Sequence, residues 1–192
     1  MLILNMPDCS YKTFWDYVCA DALAAGCSVD RSAPLMQRVW QTYTWARIRP
    51  YFACVLWLRI NQLFTMRKWR GHFRIKIWRY YRFSNDISEY ATIGPGLFLP
   101  HPIDITIGSA VKIGKNAILY NGSTLGGKRA LGSTGMPTLG DGVIVYTGAK
   151  IVGPIQIGDN VEIGALTLCI RDVPSNNLMY GIPPNTTIRP KG

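Results

Sequence analysis

The most regular feature of the chain is an aliphatic residue that recurs every six positions in its second half. An α-helix repeats every 3.6 residues and a strand alternates every two, so neither element explains this period. Short strands joined at corners into a stacked coil do explain it, because each hexapeptide then forms one side of the coil. The repeated positions are Ile87, Ile93, Leu99, Ile107, Ile113, Leu119, Leu125, Leu139, Val145, Ile151, Ile157 and Ile163, with Cys169 in the next place.

Two breaks interrupt the period of six. Leu99 and Ile107 are eight residues apart, and the segment between them contains His101. Leu125 and Leu139 are fourteen residues apart where two repeats need twelve. Insertions in a stacked coil are expected to form loops, and loops often carry function. Glycine often follows the aliphatic residue, and we expect these glycines to supply unusual backbone angles at the corners.

The first half of the chain has helical spacing instead. Apolar positions three and four residues apart predict helices over 11–25 and 36–47, and Pro50 is expected to begin a third helix that ends near residue 67. The chain is therefore predicted to be mainly β, with an N-terminal α-helical region over 1–84 and a parallel β-coil over 85–192.

The formal net charge of +10 is concentrated in one segment. Residues 36–82 contain eleven Lys or Arg, no acid and five of the six tryptophans. Such a segment suits the surface of an anionic membrane, since aromatic rings favour the interface and cations favour the headgroups. Packing against the coil or against neighbouring subunits is the alternative. Nucleic-acid binding is not expected, because no recognition motif is visible.

The cysteines and the apolar segments indicate the cellular compartment in which the protein is found. Five cysteines without CxxC spacing predict reduced thiols rather than a disulfide framework or a zinc site. The first twelve residues lack the features of a secretory signal. The most apolar stretch, 51–58, is shorter than the roughly 20 residues of a transmembrane helix. We expect a cytoplasmic protein with peripheral contact at the inner face of the membrane.

The hexapeptide pattern resembles that of the hexapeptide-repeat acyltransferases, whose fold is a left-handed parallel β-helix. The stretch from Asp86 to Gly108 is similar to the catalytic stretch of serine acetyltransferases within that group. The resemblance implies that His101 deprotonates the acceptor hydroxyl and that Asp86, fifteen residues earlier, orients the imidazole. It also implies acetyl-CoA as co-substrate, no metal, and a homotrimer or higher homo-oligomer.

The resemblance extends through the sequence TLGGK and implies the site of acetyl-CoA. Backbone N–H groups of Gly126 and Gly127 are expected to bind the developing oxyanion, and small residues are expected to line the pantetheine groove. The full set implied for acetyl-CoA is Thr124, Gly126, Gly127, Lys128, Thr147, Gly164 and Ala165.

The resemblance fails at the positions that recognise the acceptor. The family has an aspartate before the histidine and an Arg-His pair in the second loop; Pro100, Gly135 and Met136 occupy these positions here. A free amino acid would lose charge-assisted hydrogen bonds worth roughly 1.5–3 kcal/mol each. We therefore expect the acceptor to be a small-molecule or lipid-linked sugar, as in the polysaccharide O-acetyltransferase branch. Serine O-acetylation for cysteine biosynthesis is the alternative, and a non-catalytic β-helix scaffold is an alternative of another class.

Overall fold

The computed structural model describes residues 14–127, 135–182 and 185–191. Four helices in this part of the chain precede the strands. The predicted helices are observed, apart from 11–13, which lie outside the described residues, and the basic segment forms a further helix. The helices are α1 (Phe14–Ala24), α2 (Leu35–Ile48), α3 (Pro50–Met66) and α4 (His72–Phe83).

Prolines and a left-handed residue set the bounds of these helices. Pro34 precedes α2, and Pro50 occupies the first turn of α3, where the missing N–H costs nothing. Ser84 ends α4 with a φ of 48°, and its N–H donates to the Tyr80 carbonyl. The chain leaves α4 directly into the first strand.

The strands are short and belong to three sheets. The first sheet contains β1 (Asp86–Ile87), β3 (Thr106–Ile107), β6 (Thr124–Gly126), β9 (Lys150–Val152) and β12 (Leu168–Cys169). The second contains β2 (Thr92–Ile93), β4 (Lys112–Ile113), β7 (Thr138–Leu139) and β10 (Gln156–Ile157). The third contains β5 (Ile118–Leu119), β8 (Ile144–Val145), β11 (Glu162–Ile163), β13 (Asn177–Tyr180) and β14 (Thr187–Pro190).

Each strand pairs in parallel with the strand of the next coil, so the three sheets form the three sides of one coil. The predicted left-handed parallel β-helix is confirmed. Only β13 and β14 pair antiparallel, which ends the described coil in a hairpin. The outward row of the first sheet is in register from Asp86 through Thr106, Thr124 and Lys150 to Leu168.

The core is a column of the repeated residues. Every aliphatic residue of the six-residue repeat is at most 3% exposed, and Cys169 is fully buried. A second inward column, which the sequence analysis missed, lies two residues before each of these positions. Its members include Ile105, Val111, Ala117, Val143, Ala149, Ile155 and Val161.

The expectation about corner glycines is wrong in its detail. The glycines that follow the repeated residues lie where coils approach closely: a Cβ at Gly94 would lie 2.5 Å from the Gly114 carbonyl oxygen. The left-handed corners lie elsewhere, at residues such as Gly122 (φ 70°), Asn116 (φ 55°) and Leu166 (φ 57°). Asparagine tolerates this conformation better than most side chains, so glycine is not required at every corner.

The helices cover the N-terminal end of the coil and share its core. Cys54, Val55 and Leu58 of α3 and Phe83 of α4 belong to the same buried cluster as Ile87. A second cluster packs α1 against α3 around Phe52. The helical region and the coil are thus joined by a continuous apolar core.

A buried ion pair crosses this junction. Arg59 of α3 and Asp21 of α1 are 3% and 1% exposed, and the Arg59 Nε atom lies 2.8 Å from Asp21 Oδ2. Arg59 also donates to the carbonyls of Ile93 and Gly94, at 2.8 and 2.6 Å. Asp21 Oδ1 accepts the N–H groups of Gly96 and Leu97, at 2.8 and 2.9 Å. The pair therefore satisfies backbone groups at the open end of the coil.

Replacement of Arg59 by Met should destabilise the fold strongly. The variant leaves the Asp21 carboxylate and two coil carbonyls buried with fewer partners, and breaking a buried pair costs about 3–5 kcal/mol. Urea unfolding of Arg59→Met should show this loss in the free energy of unfolding. The control is Arg74→Met on the exposed surface of α4, which should change it by less than about 0.5 kcal/mol. Equal effects of the two variants would contradict this account.

Candidate functional site

The first break in the repeat forms a bulge at a corner of the coil. Phe98 pairs with Ile118 and Thr106 pairs with Thr124, so eight residues here occupy the place of six in the next coil. The Ile103 carbonyl accepts the Gly122 N–H, just as the Asn121 carbonyl accepts the Gly148 N–H one coil later. The two additional residues are therefore His101 and Pro102, which we call the His101 bulge.

The geometry of the bulge directs His101 outward. The Ile103 N–H donates to the His101 carbonyl at 2.8 Å, which closes a three-residue turn. Pro102 is buried in this turn, whereas His101 is exposed. A residue that would otherwise lie in the flat side of the coil thus projects from its corner.

Hydrogen bonds from buried groups fix the position of the His101 bulge. The Asn85 side-chain amide donates to the Pro102 carbonyl and to the Cys54 thiol, both at 3.2 Å. The Asp104 N–H donates to the Ser84 carbonyl at 2.8 Å. Asn85 is 4% exposed, and burial raises the pKa of the Cys54 thiol to about 11. Cys54 therefore remains a neutral packing partner rather than a nucleophile.

Aromatic rings continue the surface next to His101. The Tyr120 ring lies 6.4 Å from the His101 ring, and the Tyr146 ring stacks on Tyr120 at 5.5 Å. The Tyr146 hydroxyl donates to Glu162 at 3.0 Å, and burial together with this bond raises the pKa of Tyr146. The Lys191 ammonium lies 2.8 Å from Glu162 and lowers the pKa of that carboxyl through a hydrogen bond.

Asp86, the predicted orienting residue, begins the first strand one coil below the bulge. Its N–H donates to the Ile105 carbonyl at 2.9 Å, and its side chain is exposed. Among the described residues, no hydrogen bond or ion pair joins Asp86 to His101. Asp86 and His101 are therefore not a formed pair in this structure.

A groove of about 410 Å³ lies beside Asp86. Tyr80 and Tyr81 of α4 form one wall, and Asp104 and Thr106 form part of the other. The buried Arg79 lies nearby: burial lowers the pKa of its guanidinium, and the carboxylates of Glu89 and Asp86 oppose this shift. The groove thus combines carboxylates, hydroxyls and aromatic faces.

The small residues implied for the pantetheine groove lie on the same corner as His101. The Leu166 N–H donates to the Thr147 carbonyl, and the Gly148 N–H to the Asn121 carbonyl, so Asn121, Thr147 and Ala165 follow one another on successive coils. The Thr147 hydroxyl lies 3.2 Å from Asn121 Oδ1. We call these three residues the corner column. Gly164 precedes Ala165 beside the column.

The predicted oxyanion donors and the second loop lie at the other edge of the first sheet. Gly122 is at the His101 corner, and Gly127 is five residues further along the same side of the coil, or about 17 Å at 3.3 Å per residue. A Cβ at Gly127 would lie 3.3 Å from the Gly135 carbonyl oxygen. Met136 packs there as well, and its sulfur accepts the Ala110 N–H at 3.3 Å. A single chain therefore does not bring these groups to His101.

The remaining predicted residues have separate surroundings. Pro100 directly precedes the bulge. The Thr124 hydroxyl accepts a hydrogen bond from the Lys150 ammonium at 2.8 Å, and this ammonium also donates to the Gly122 carbonyl. Lys128 lies outside the described residues.

Comparisons of the sequence and of the structure with known proteins both find serine acetyltransferases. No family model matches the chain. The chain is 39% identical over 98 residues to a serine acetyltransferase of Mycobacterium tuberculosis, covering 51% of this chain and 43% of that protein. It is 42% identical over 98 residues to a serine acetyltransferase of Synechococcus elongatus, covering 51% and 40%. The crystal structure of Neisseria gonorrhoeae serine acetyltransferase superposes with a TM-score of 0.75 at 26% identity, covering 93% of this chain and 66% of that one.

The sequence comparison and the structure comparison agree on the group of proteins that the chain resembles. Both comparisons support a hexapeptide-repeat acyltransferase. The polysaccharide branch of these acyltransferases is not confirmed, because the relatives named above are serine acetyltransferases. The chain spans less than half the length of the two sequence relatives and 66% of the structural one.

Sequence analysis missed several residues of this candidate site. Asn85, Tyr120 and the two tyrosines of α4 carry no local motif. The signal for Asn85 was available in principle, since a polar residue directly before a strand and beside an inserted loop often satisfies a loop carbonyl. The tyrosines could not be placed without knowing how α4 packs.

The described residues contain neither a candidate metal cluster nor a candidate membrane-spanning helix. No group of three or more His, Cys, Asp or Glu in them could hold a metal ion. None of the described helices has the length and apolar character needed to span a bilayer.

Asn85→Ala should loosen the His101 bulge. The substitution removes the donor that holds the Pro102 carbonyl, so amide hydrogen exchange at Ile103 and Asp104 should rise by at least about tenfold. Exchange measured by mass spectrometry on bulge peptides tests this. Asn61→Ala is the matched control, because Asn61 is fully buried and its side-chain atoms have no hydrogen-bond partner among the described residues. Unchanged exchange in Asn85→Ala would show that the amide does not hold the bulge.

Proposed function

We propose that the chain is an acetyl-CoA-dependent O-acetyltransferase in which His101 acts as general base. The observation that supports it most is the His101 bulge, which exposes an imidazole at the head of the corner column. The relatives support the same activity, since those named above are acetyltransferases. Dependence on acetyl-CoA also fits the predicted cytoplasmic location.

In the proposed mechanism, His101 first accepts a proton and then donates it. Its imidazole accepts the proton of the acceptor hydroxyl as the hydroxyl oxygen attacks the thioester carbonyl. The C–S bond then breaks, and the imidazolium returns the proton to the leaving sulfur. Asp86 orients and stabilises the imidazolium. Because the two side chains are not paired here, we expect them to approach when substrates bind, as catalytic hydrogen bonds often tighten in the complex.

The residues on the coil surface fit a long, flexible acyl carrier. A Cβ at Gly126 would meet no atom within 4 Å, and its backbone is not in the left-handed region, so neither packing nor conformation requires glycine there. Glycine at such a position leaves room for a ligand to approach the backbone. The corner column offers a similarly small surface at Ala165. Acetyl-CoA bound at these residues would supply the activated acetyl group.

A second copy of the chain would complete the site. Gly126 and Gly127 lie four and five residues from Gly122 at the His101 corner, or about 13 and 17 Å in one chain, and Met136 packs beside Gly127. A neighbouring copy packed against the corner would bring its own set of these residues to His101. This need supports the predicted homotrimer.

The acceptor has two candidates, of which L-serine is better supported. The relatives that the chain matches at 39–42% identity are serine acetyltransferases. This supports the serine alternative of the sequence analysis above its first prediction, a sugar hydroxyl.

The sugar candidate rests on the chemistry of three positions. Pro100 offers no carboxylate beside His101, Gly135 lies against Pro154, and Met136 packs on Gly108. These residues supply no charge to an ammonium or a carboxylate. An uncharged polyol would lose nothing at such a surface, whereas an amino acid would lose two charged partners.

His101→Ala should abolish transfer without unfolding the chain. Loss of a general base lowers the rate by about 10²–10⁴-fold. Release of CoA thiol, with binding of CoA measured in parallel by calorimetry, tests this. His72→Ala is the control, since His72 lies on α4 near Glu89 and should be dispensable. Full activity of His101→Ala would overturn the assignment, and failure of the wild-type protein to bind CoA would favour the scaffold alternative.

A substitution at Pro100 tests which acceptor the protein uses. We expect His101-dependent release of CoA with millimolar L-serine, and the Pro100→Asp variant should lower the KM for serine by about 10–100-fold, because a carboxylate would pair with the ammonium group. A protein that binds CoA but shows no release with serine would contradict the serine assignment. Release with hexose acceptors would then support a sugar hydroxyl.

A further inference from the structure

Helix α4 buries several charged side chains and exposes several apolar ones. Its inner side carries Arg79, which is 1% exposed and donates to the Ile87 carbonyl at 3.1 Å. His72 and Lys76 lie 3.8 and 3.5 Å from the buried carboxylate of Glu89. The helix therefore contacts the coil through charged groups as well as through the apolar Phe83.

The outer side of α4 is correspondingly apolar. Phe73, Ile77 and Tyr80 are 53%, 50% and 53% exposed. At 100° per residue their directions fall within about 60° of one another, so they form one stripe. Single exposed apolar residues are ordinary, but a stripe of three on one helix indicates a contact surface.

Cations surround this stripe in the described structure. Every residue of 66–70 is exposed, including Arg67, Arg70 and Trp69, which is 49% exposed. Arg74 is exposed on the helix itself. We call Arg67, Trp69, Arg70, Phe73, Arg74 and Ile77 the basic aromatic face.

We propose that the basic aromatic face binds the surface of an anionic lipid bilayer. Apolar and aromatic side chains beside arginines match an interface in which acyl chains lie beneath anionic headgroups. Charge argues against a second copy as the occupant, because the face carries the exposed Arg67, Arg70 and Arg74 and no acid, and would repel its own image. The binding is peripheral and does not depend on the proposed acetyl transfer.

This contact would bring lipid close to the candidate site. Tyr80 belongs to the apolar stripe and also lines the groove beside Asp86. A bilayer on the basic aromatic face would therefore border the groove. An acceptor carried by a lipid would reach the groove from that side.

Sedimentation of the full chain with lipid vesicles tests the proposal. Vesicles of phosphatidylcholine containing about 30% phosphatidylglycerol should bind at least tenfold more protein than vesicles of phosphatidylcholine alone, and the binding should fall as salt rises from about 0.1 to 0.5 M. Equal binding to the two vesicles, or no binding to either, would overturn the proposal.

Variants test whether vesicle binding depends on the basic aromatic face or only on the positive charge of the protein. Arg67→Glu/Arg70→Glu/Arg74→Glu should lose at least tenfold in binding, and Trp69→Ala/Phe73→Ala should lose a similar amount. The matched control is Lys112→Glu/Lys115→Glu on the coil, which should retain binding although it also reverses positive charges. Loss in the control equal to that of the face variants would contradict a specific face. A fall in oligomer mass by light scattering in the face variants, with vesicle binding intact, would assign the face to a second copy. Preferential binding of single-stranded nucleic acid would also overturn the lipid assignment.

Discussion

The buried ion pair between Asp21 and Arg59 joins the two halves of the molecule. A parallel β-helix has an open end, where carbonyl and N–H groups of the first coil have no next coil to pair with. Arg59 supplies donors to two of these carbonyls, and Asp21 accepts two of the N–H groups. The charges compensate each other, so burial of either one alone would be costly. The first coil therefore depends on the helices for its regular geometry.

That geometry in turn defines the site. Asp86 lies in the first strand, and the His101 bulge directly follows the first coil. Asn85 links the two because it precedes Asp86 and donates to the Pro102 carbonyl. An irregular bulge on a regular coil is tolerated here because each of its buried backbone groups has a partner. The result is an exposed imidazole at a corner of the coil, next to the corner column.

The sequence predicted the coil well because its signal is local and repeated. A period of six over more than eighty residues has few structural explanations, and the break in that period located His101. The ion pair was not predictable in the same way, since its two residues are 38 positions apart. Arg59 and Arg79 were counted as part of a basic surface, but the structure buries both. Corner glycines were misplaced because close approach of coils and positive φ select glycine at different positions.

The central claim is that acyl transfer takes place at the His101 bulge along the corner column. A crystal structure of the protein with CoA tests this most directly. The account predicts that the CoA sulfur lies within about 4 Å of the His101 imidazole, a distance suited to proton transfer and attack, with the pantetheine chain along Thr147 and Ala165. A sulfur bound at another corner of the coil, with His101 facing solvent, would contradict the account.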